Sequence, residues 1–168
     1  MGISQTIYVV PNDDLDELIG NDGNLVSMAE KRGWPGTYLS SYWRFLTEML
    51  THGKPVDLLP YAALTTGELR FSNDHDGAHA LRSVMAAEFA KLTSALAYAE
   101  VRAYVEIKRD MAAAKFANHP DGHRWIPTEN LMIQQAAEYA MYLEQIKKVS
   151  ARARNEGSGL LFCFWEDW

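Results

Sequence analysis

A chain of 168 residues with 48% apolar and 23% charged side chains is long enough for one packed core and has the balance of an ordinary globular protein. Sixteen Lys and Arg stand against 22 Asp and Glu, a formal net charge of -6. Phosphate backbones and anionic lipid are bound by clustered positive charge, so neither nucleic acid nor a membrane is expected as a partner. Cys163 is the only cysteine, which excludes an internal disulfide, and no apolar run approaches the roughly 20 residues of a membrane span.

The first residues, Met1-Gly2-Ile3-Ser4-Gln5, lack the basic and apolar regions of a secretory signal, so the expected location is cytoplasmic. Thr6–Val10 is β-branched and aromatic and stops at Pro11, the pattern of a strand. Asn12 then stands where a helix N-cap belongs, with Asp13, Asp14, Asp16 and Glu17 in the first turns, where negative charge meets the helix dipole. Gly20 to Gly36 is polar and Gly-rich, with a short helix around Val26 to Lys31. The spacing of Tyr38, Leu39, Tyr42, Trp43, Phe45, Leu46, Met49 and Leu50 predicts one amphipathic helix ended by Gly53-Lys54-Pro55.

Leu58 to Leu64 is a short apolar segment, and Glu68 to Phe71 a brief strand. Asn73-Asp74-His75-Asp76-Gly77-Ala78-His79 reads as a turn that launches a long helix carrying Leu81, Val84, Met85, Phe89, Leu92 and Leu96. A second helical segment runs from about Glu100 to Phe116, with a break near Tyr98. Asn118 to His123 is another turn, followed by Trp125. Thr128 is placed to cap the last helix, with Leu131, Ala136, Tyr139, Leu143, Ile146 and Val149 as its stripe and Gly157 as a left-handed C-cap. Its terminal Lys147, Lys148, Arg152 and Arg154 suit a helix C-terminus. Gly159 to Trp165 is a strand apolar on both faces, which calls for cover on both sides. The strands Thr6–Val10 and Leu160–Trp165 are expected to share one sheet, with Phe162 in the core.

The order of these segments resembles a known family. Tyr42-Trp43-Arg44-Phe45-Leu46-Thr47-Glu48-Met49-Leu50-Thr51-His52-Gly53 precedes an acidic Asp-Gly segment and a long helix. Arg109-Asp110-Met111 stands before a His-Pro turn and Trp125. Ala151-Arg152-Ala153-Arg154-Asn155-Glu156-Gly157 leads into the closing strand. The chain is similar in this to the YfbM-like family of small bacterial proteins, a domain of unknown function. It departs from that pattern at His119, where a Tyr-Pro pair is expected, and at Thr66-Gly67, where a Gly-Gly turn is. The resemblance implies a single α+β domain over residues 1–168, with amphipathic helices packed around a small sheet that includes both terminal strands. It implies no activity.

For function, the chain lacks Gly-x-Ser-x-Gly, a phosphate-cradling loop, Cys-x-x-Cys and His-Glu-x-x-His. His75 and His79, like His119 and His123, are four apart, and a metal-dependent enzyme using these turns is the least favoured reading. Pro120 and the glycines point to turns, where that spacing does not put two imidazoles on one face. Neither catalytic residues, metal ligands nor cofactors are therefore assigned.

Five Trp and eight Tyr are ample anchors for an interface. The preferred reading is an intracellular, non-catalytic binding protein, of the immunity or antitoxin-like kind, that meets a basic protein partner. A small-molecule sensor or sponge is the alternative. The expected binding face joins the two turns, with Asp74, Asp76, His79, Asp121 and Trp125 pointing outward.

Overall fold

The computed structural model describes residues 2–19, 25–55, 58–71 and 77–167. Its strands are β1 (Gly2–Val10), β2 (Gly36–Tyr38), β3 (Leu69–Phe71), β4 (Ala78–Leu81) and β5 (Gly159–Asp167). Its α-helices are α1 (Asn12–Leu18), α2 (Leu25–Arg32), α3 (Trp43–Thr51), α4 (Ser83–Ser94), α5 (Tyr98–Phe116) and α6 (Glu129–Glu156). Single 3-10 turns cover Ser40–Tyr42 and Gly122–Trp125. The fold is α+β. The chain forms two compact units: Met1–Ala95 with Tyr142–Trp168, and Leu96–Met141.

The first unit holds one antiparallel sheet in the order β2-β1-β5-β4-β3. The two terminal strands lie side by side, as expected, paired from Gly2↔Asp167 to Val10↔Gly159. Side chains alternate along each strand, so this register divides the sheet into two faces. One carries Tyr8, Val10, Leu161, Cys163, Ala78 and Ala80 and is covered by Leu15 and Leu18 of α1, Leu25 and Ala29 of α2, and Trp34. On the other, Phe162 meets the Phe89 ring of α4 edge-on at 6.1 Å, and Phe164 meets Trp43 of α3 at 5.1 Å. Phe162 is wholly buried.

Local chemistry explains most boundaries. Gly157 takes φ +64°, and behind it Ser158 N–H donates to Ala153 O at 2.9 Å and Gly157 N–H to Arg154 O at 3.3 Å. That pair of bonds is the Schellman end of α6. Thr128 caps the other end, its Oγ1 accepting from Leu131 N–H at 3.3 Å. The break before α5 falls next to Tyr98, where Ala97 N–H donates to Glu100 Oε2 at 2.7 Å.

Asn12 does not cap its own helix. Its Nδ2 donates to Ser83 Oγ at 2.7 Å and its Oδ1 accepts from Ser83 N–H at 3.1 Å, so it serves the first residue of α4. The acidic cluster is engaged with cations: Asp14 and Glu17 with Arg32, and Asp16 with Arg82.

Two further expectations are corrected. The single helix over Tyr38 to Leu50 is replaced by strand β2, a 3-10 turn and α3. Thr37 and Tyr38 are good strand formers and find a partner in Thr6 to Tyr8, while Ser40 at φ +47° turns the chain before α3 begins. The second correction is β4. Ala78–Leu81 is a strand between β3 and β5, and α4 starts only at Ser83. Ala-His-Ala-Leu has little strand propensity, and its place in the sheet overrides that preference.

Phe162→Ala removes a wholly buried ring and is expected to cost about 3–5 kcal/mol of stability. Urea unfolding checks this: a loss well under ~1 kcal/mol would show that the site collapses around the deletion.

Candidate functional site

Of the five residues expected on one outward face, Asp74 and Asp76 lie outside the described residues, as does His75. His79 is corrected. It is 4% exposed in β4 and does not point outward. Its ring stacks on Phe162 at 4.7 Å, and its Nε2 is 2.7 Å from Ala63 O. A carbonyl accepts only, so Nε2 carries the proton. Burial pushes its pKa down to about 4; the Ala63 hydrogen bond opposes this and the Arg70 charge adds to it. Cys163 is likewise a core residue, its thiol raised to about 12 by burial.

Asp121 and Trp125 belong to the Leu96–Met141 unit. A Cβ at Gly122 would stand 2.1 Å from Phe116 O, so only glycine lets the turn close against the end of α5. Asp121 N–H donates to His119 Nδ1 at 3.2 Å, and the Asp121 carboxylate lies 3.7 Å from Arg124. Trp125 is on the surface, 61% exposed, with its ring stacked at 5.9 Å on Phe116. Tyr98, Ile107, Met111, Leu131, Ile133 and Met141 of this unit are also exposed. With Trp125 they make seven of the eleven exposed large apolar side chains among the described residues. The unit's cations are largely matched within it, Arg102 by Glu106 and Glu129 and Arg109 by Asp110.

A second feature, not foreseen from the sequence, lies at the β2 edge of the sheet. Thr6, Tyr8, Gly36, Thr37, Tyr38 and Trp165 line an open depression of about 510 Å³. Tyr38 and Trp165 meet edge-on at 5.9 Å, and Tyr38 Oη lies 3.0 Å from Ser4 Oγ. The Tyr8 hydroxyl is raised to about 12, first by burial and then by Cys163 and Glu30. Thr6 Oγ1 and Trp165 Nε1 are buried without a hydrogen-bond partner. A smaller depression of about 250 Å³ is lined by Pro35, Gly36, Thr37, Gln145, Lys148, Val149 and Arg152. Gly36 and Thr37 are common to both. The alternation Thr6-x-Tyr8 and Cys163-x-Trp165 was visible in the sequence. The β1–β2 pairing that brings Tyr38 to them was not.

Among the described residues, no three His, Cys, Asp or Glu side chains are grouped so as to hold a metal ion, and no helix is long and apolar enough to cross a membrane.

These features define an α+β protein with a five-stranded antiparallel sheet whose two terminal strands lie side by side within it. No protein-family model matches the chain, and no curated protein matches it. Among solved structures, it is similar to the crystal structure of a protein of unknown function, YfbM from Escherichia coli. The TM-score is 0.66 at 15% identity, over 96% of this chain and 99% of that one. The YfbM-like fold implied by the sequence resemblance is the fold of this chain.

His79 makes stability depend on pH. Its folded pKa is about 4 and the unfolded value about 6.5, so the unfolded chain takes up the proton first as pH falls. The stability it contributes is whole above about pH 6.5 and is lost between there and pH 4, about 3 kcal/mol in all. Urea midpoints at pH 7 and pH 5 test this, with His79→Gln as the non-titrating control. An equal acid sensitivity in that variant would assign the effect to other groups.

Proposed function

We propose that this protein is a non-catalytic, cytoplasmic binding protein that holds a protein partner on the Leu96–Met141 unit, with Trp125 as the central anchor and Asp121 beside it. The observation that carries this reading is the 61% exposure of Trp125 on a turn that Gly122 fixes against Phe116. A large ring stacked on a neighbour yet open to water is the kind of side chain that dominates binding energy when a partner covers it. Seven exposed large apolar side chains fall within this one 46-residue unit, and large apolar and aromatic side chains are the usual anchors of a protein interface. The net charge of -6 favours a partner with a basic surface through long-range attraction. Capture of a basic partner is the behaviour of an immunity or antitoxin-like protein, and His79 and Cys163 belong to the core rather than to this surface.

The test is cross-linking capture from the native cell, with the partner then purified and its affinity measured for wild type, Trp125→Ala and Val84→Ala. Val84 is 77% exposed in the other unit and serves as the control. Trp125→Ala is expected to weaken binding by about 30-fold, the effect of a buried aromatic anchor, and Val84→Ala to leave it unchanged. Equal affinity of all three folded proteins would overturn the proposal.

A further inference from the structure

Among the described residues, the outer side of β2 is an unpaired sheet edge. Val9 N–H donates to Pro35 O and Leu39 N–H to Gln5 O, each at 2.8 Å. In an antiparallel pair the bonded residues alternate. Residues 35, 37 and 39 therefore face β1 with their backbone groups, and Gly36 turns its N–H and C=O to the opposite side. β2 is the last strand of the sheet on that side, and among the described residues neither Gly36 group has a backbone partner. Proline commonly blunts such an edge, but Pro35 has its missing N–H on the β1 side, where its carbonyl accepts from Val9. The outer edge is left open at Gly36.

The side chains around this edge form two unlike walls. On the face of Tyr8, a Cβ at Gly36 would stand 2.6 Å from the Tyr8 ring. The Tyr8 ring therefore lies over a bare stretch of backbone, with Tyr38 and Trp165 lining the same depression. The wall also contains Thr6 Oγ1 and Trp165 Nε1, buried and unpaired, with Thr6 itself 7% exposed. On the opposite face, Lys148 and Arg152 of α6 line the second depression beside Gln145, which accepts from Thr37 Oγ1 at 3.1 Å. Arg152 pairs with Glu156; Lys148 has no ion pair among the described residues.

We propose that an extended segment of a partner protein adds to the sheet beside Gly36, placing an aromatic side chain on Tyr8, Tyr38 and Trp165 and an adjacent acidic side chain on Lys148. The pleat dictates that order. A residue directly opposite Gly36 points to the same face as Gly36, onto the aromatic wall, where glycine leaves room for it. Its neighbour in the added strand points to the other face, toward the cationic wall. The ligand class is therefore an aromatic-acidic dipeptide within a strand-forming sequence. Main-chain bonds to Gly36 supply the docking, and the two walls supply the discrimination. This site lies in the sheet-bearing unit and does not depend on Trp125.

The probe is the capped peptide acetyl-Ser-Thr-Phe-Glu-Thr-Ser-amide, titrated into wild-type protein while the amide signals of Gly36 and Thr37 are followed by NMR. Both signals are expected to shift saturably with the Trp165 side-chain signal. N-methylation of the Phe residue, which removes the N–H that meets Gly36, is expected to abolish the shifts. Changing Glu to Lys in the peptide is expected to weaken binding by about three- to tenfold, and the exposed Lys148→Glu variant to restore it. Trp125→Ala is expected to bind the peptide as wild type does, which separates this site from the proposed partner surface. Shifts that survive N-methylation, shifts absent from Gly36, or free phenylalanine amide binding as tightly as the peptide would each overturn strand addition.

Discussion

The pairing of β1 with β5 is the constraint on which the sheet-bearing unit depends. It joins the two ends of the chain over nine partner pairs, and every other strand is placed by reference to it: β2 on the outer side of β1, β4 and then β3 on the outer side of β5. A strand buried on both faces is held by cover from both. Leu161 and Cys163 pack in the cluster with α1 and α2, while Phe162 and Phe164 meet Phe89 and Trp43 on the opposite face. Gly159 shows how close the packing is, since a Cβ there would stand 2.4 Å from Leu81 O.

Much of this was readable from residue patterns. The two terminal strands declared themselves by β-branched and aromatic runs bounded by Pro11 and Gly159, and Thr128 and Gly157 marked the ends of α6 by their capping chemistry. What was hidden depends on partners distant in sequence. Tyr38 has the spacing of a helix residue with Tyr42 and Leu46, yet Thr6 to Tyr8 capture it as a strand. His79 sits in a polar run that reads as a turn, yet Ala78–Leu81 is inserted between β3 and β5 and the imidazole is enclosed with Ala63 and Phe162.

The same contrast governs the candidate sites. The turn that carries Asp121 and Trp125 was legible from composition, because an Asp-Gly turn is local chemistry, whereas the 61% exposure of Trp125 was not. The β2 edge escaped notice because its parts come from four separated segments, around Thr6, Gly36 to Tyr38, Lys148 and Trp165, and become one place only through strand register. Protection falls from a sheet centre covered on both faces to an edge strand three residues long, where the backbone groups of Gly36 face outward.

Native-state hydrogen exchange measures that gradient directly. The amides of Leu161 and Phe162 are predicted to exchange only through global unfolding, with a free energy equal to that from urea denaturation, while the outward-facing Gly36 amide exchanges with little protection. Leu161 and Phe162 exchanging well below the global value, or Gly36 protected as strongly as they are, would contradict it.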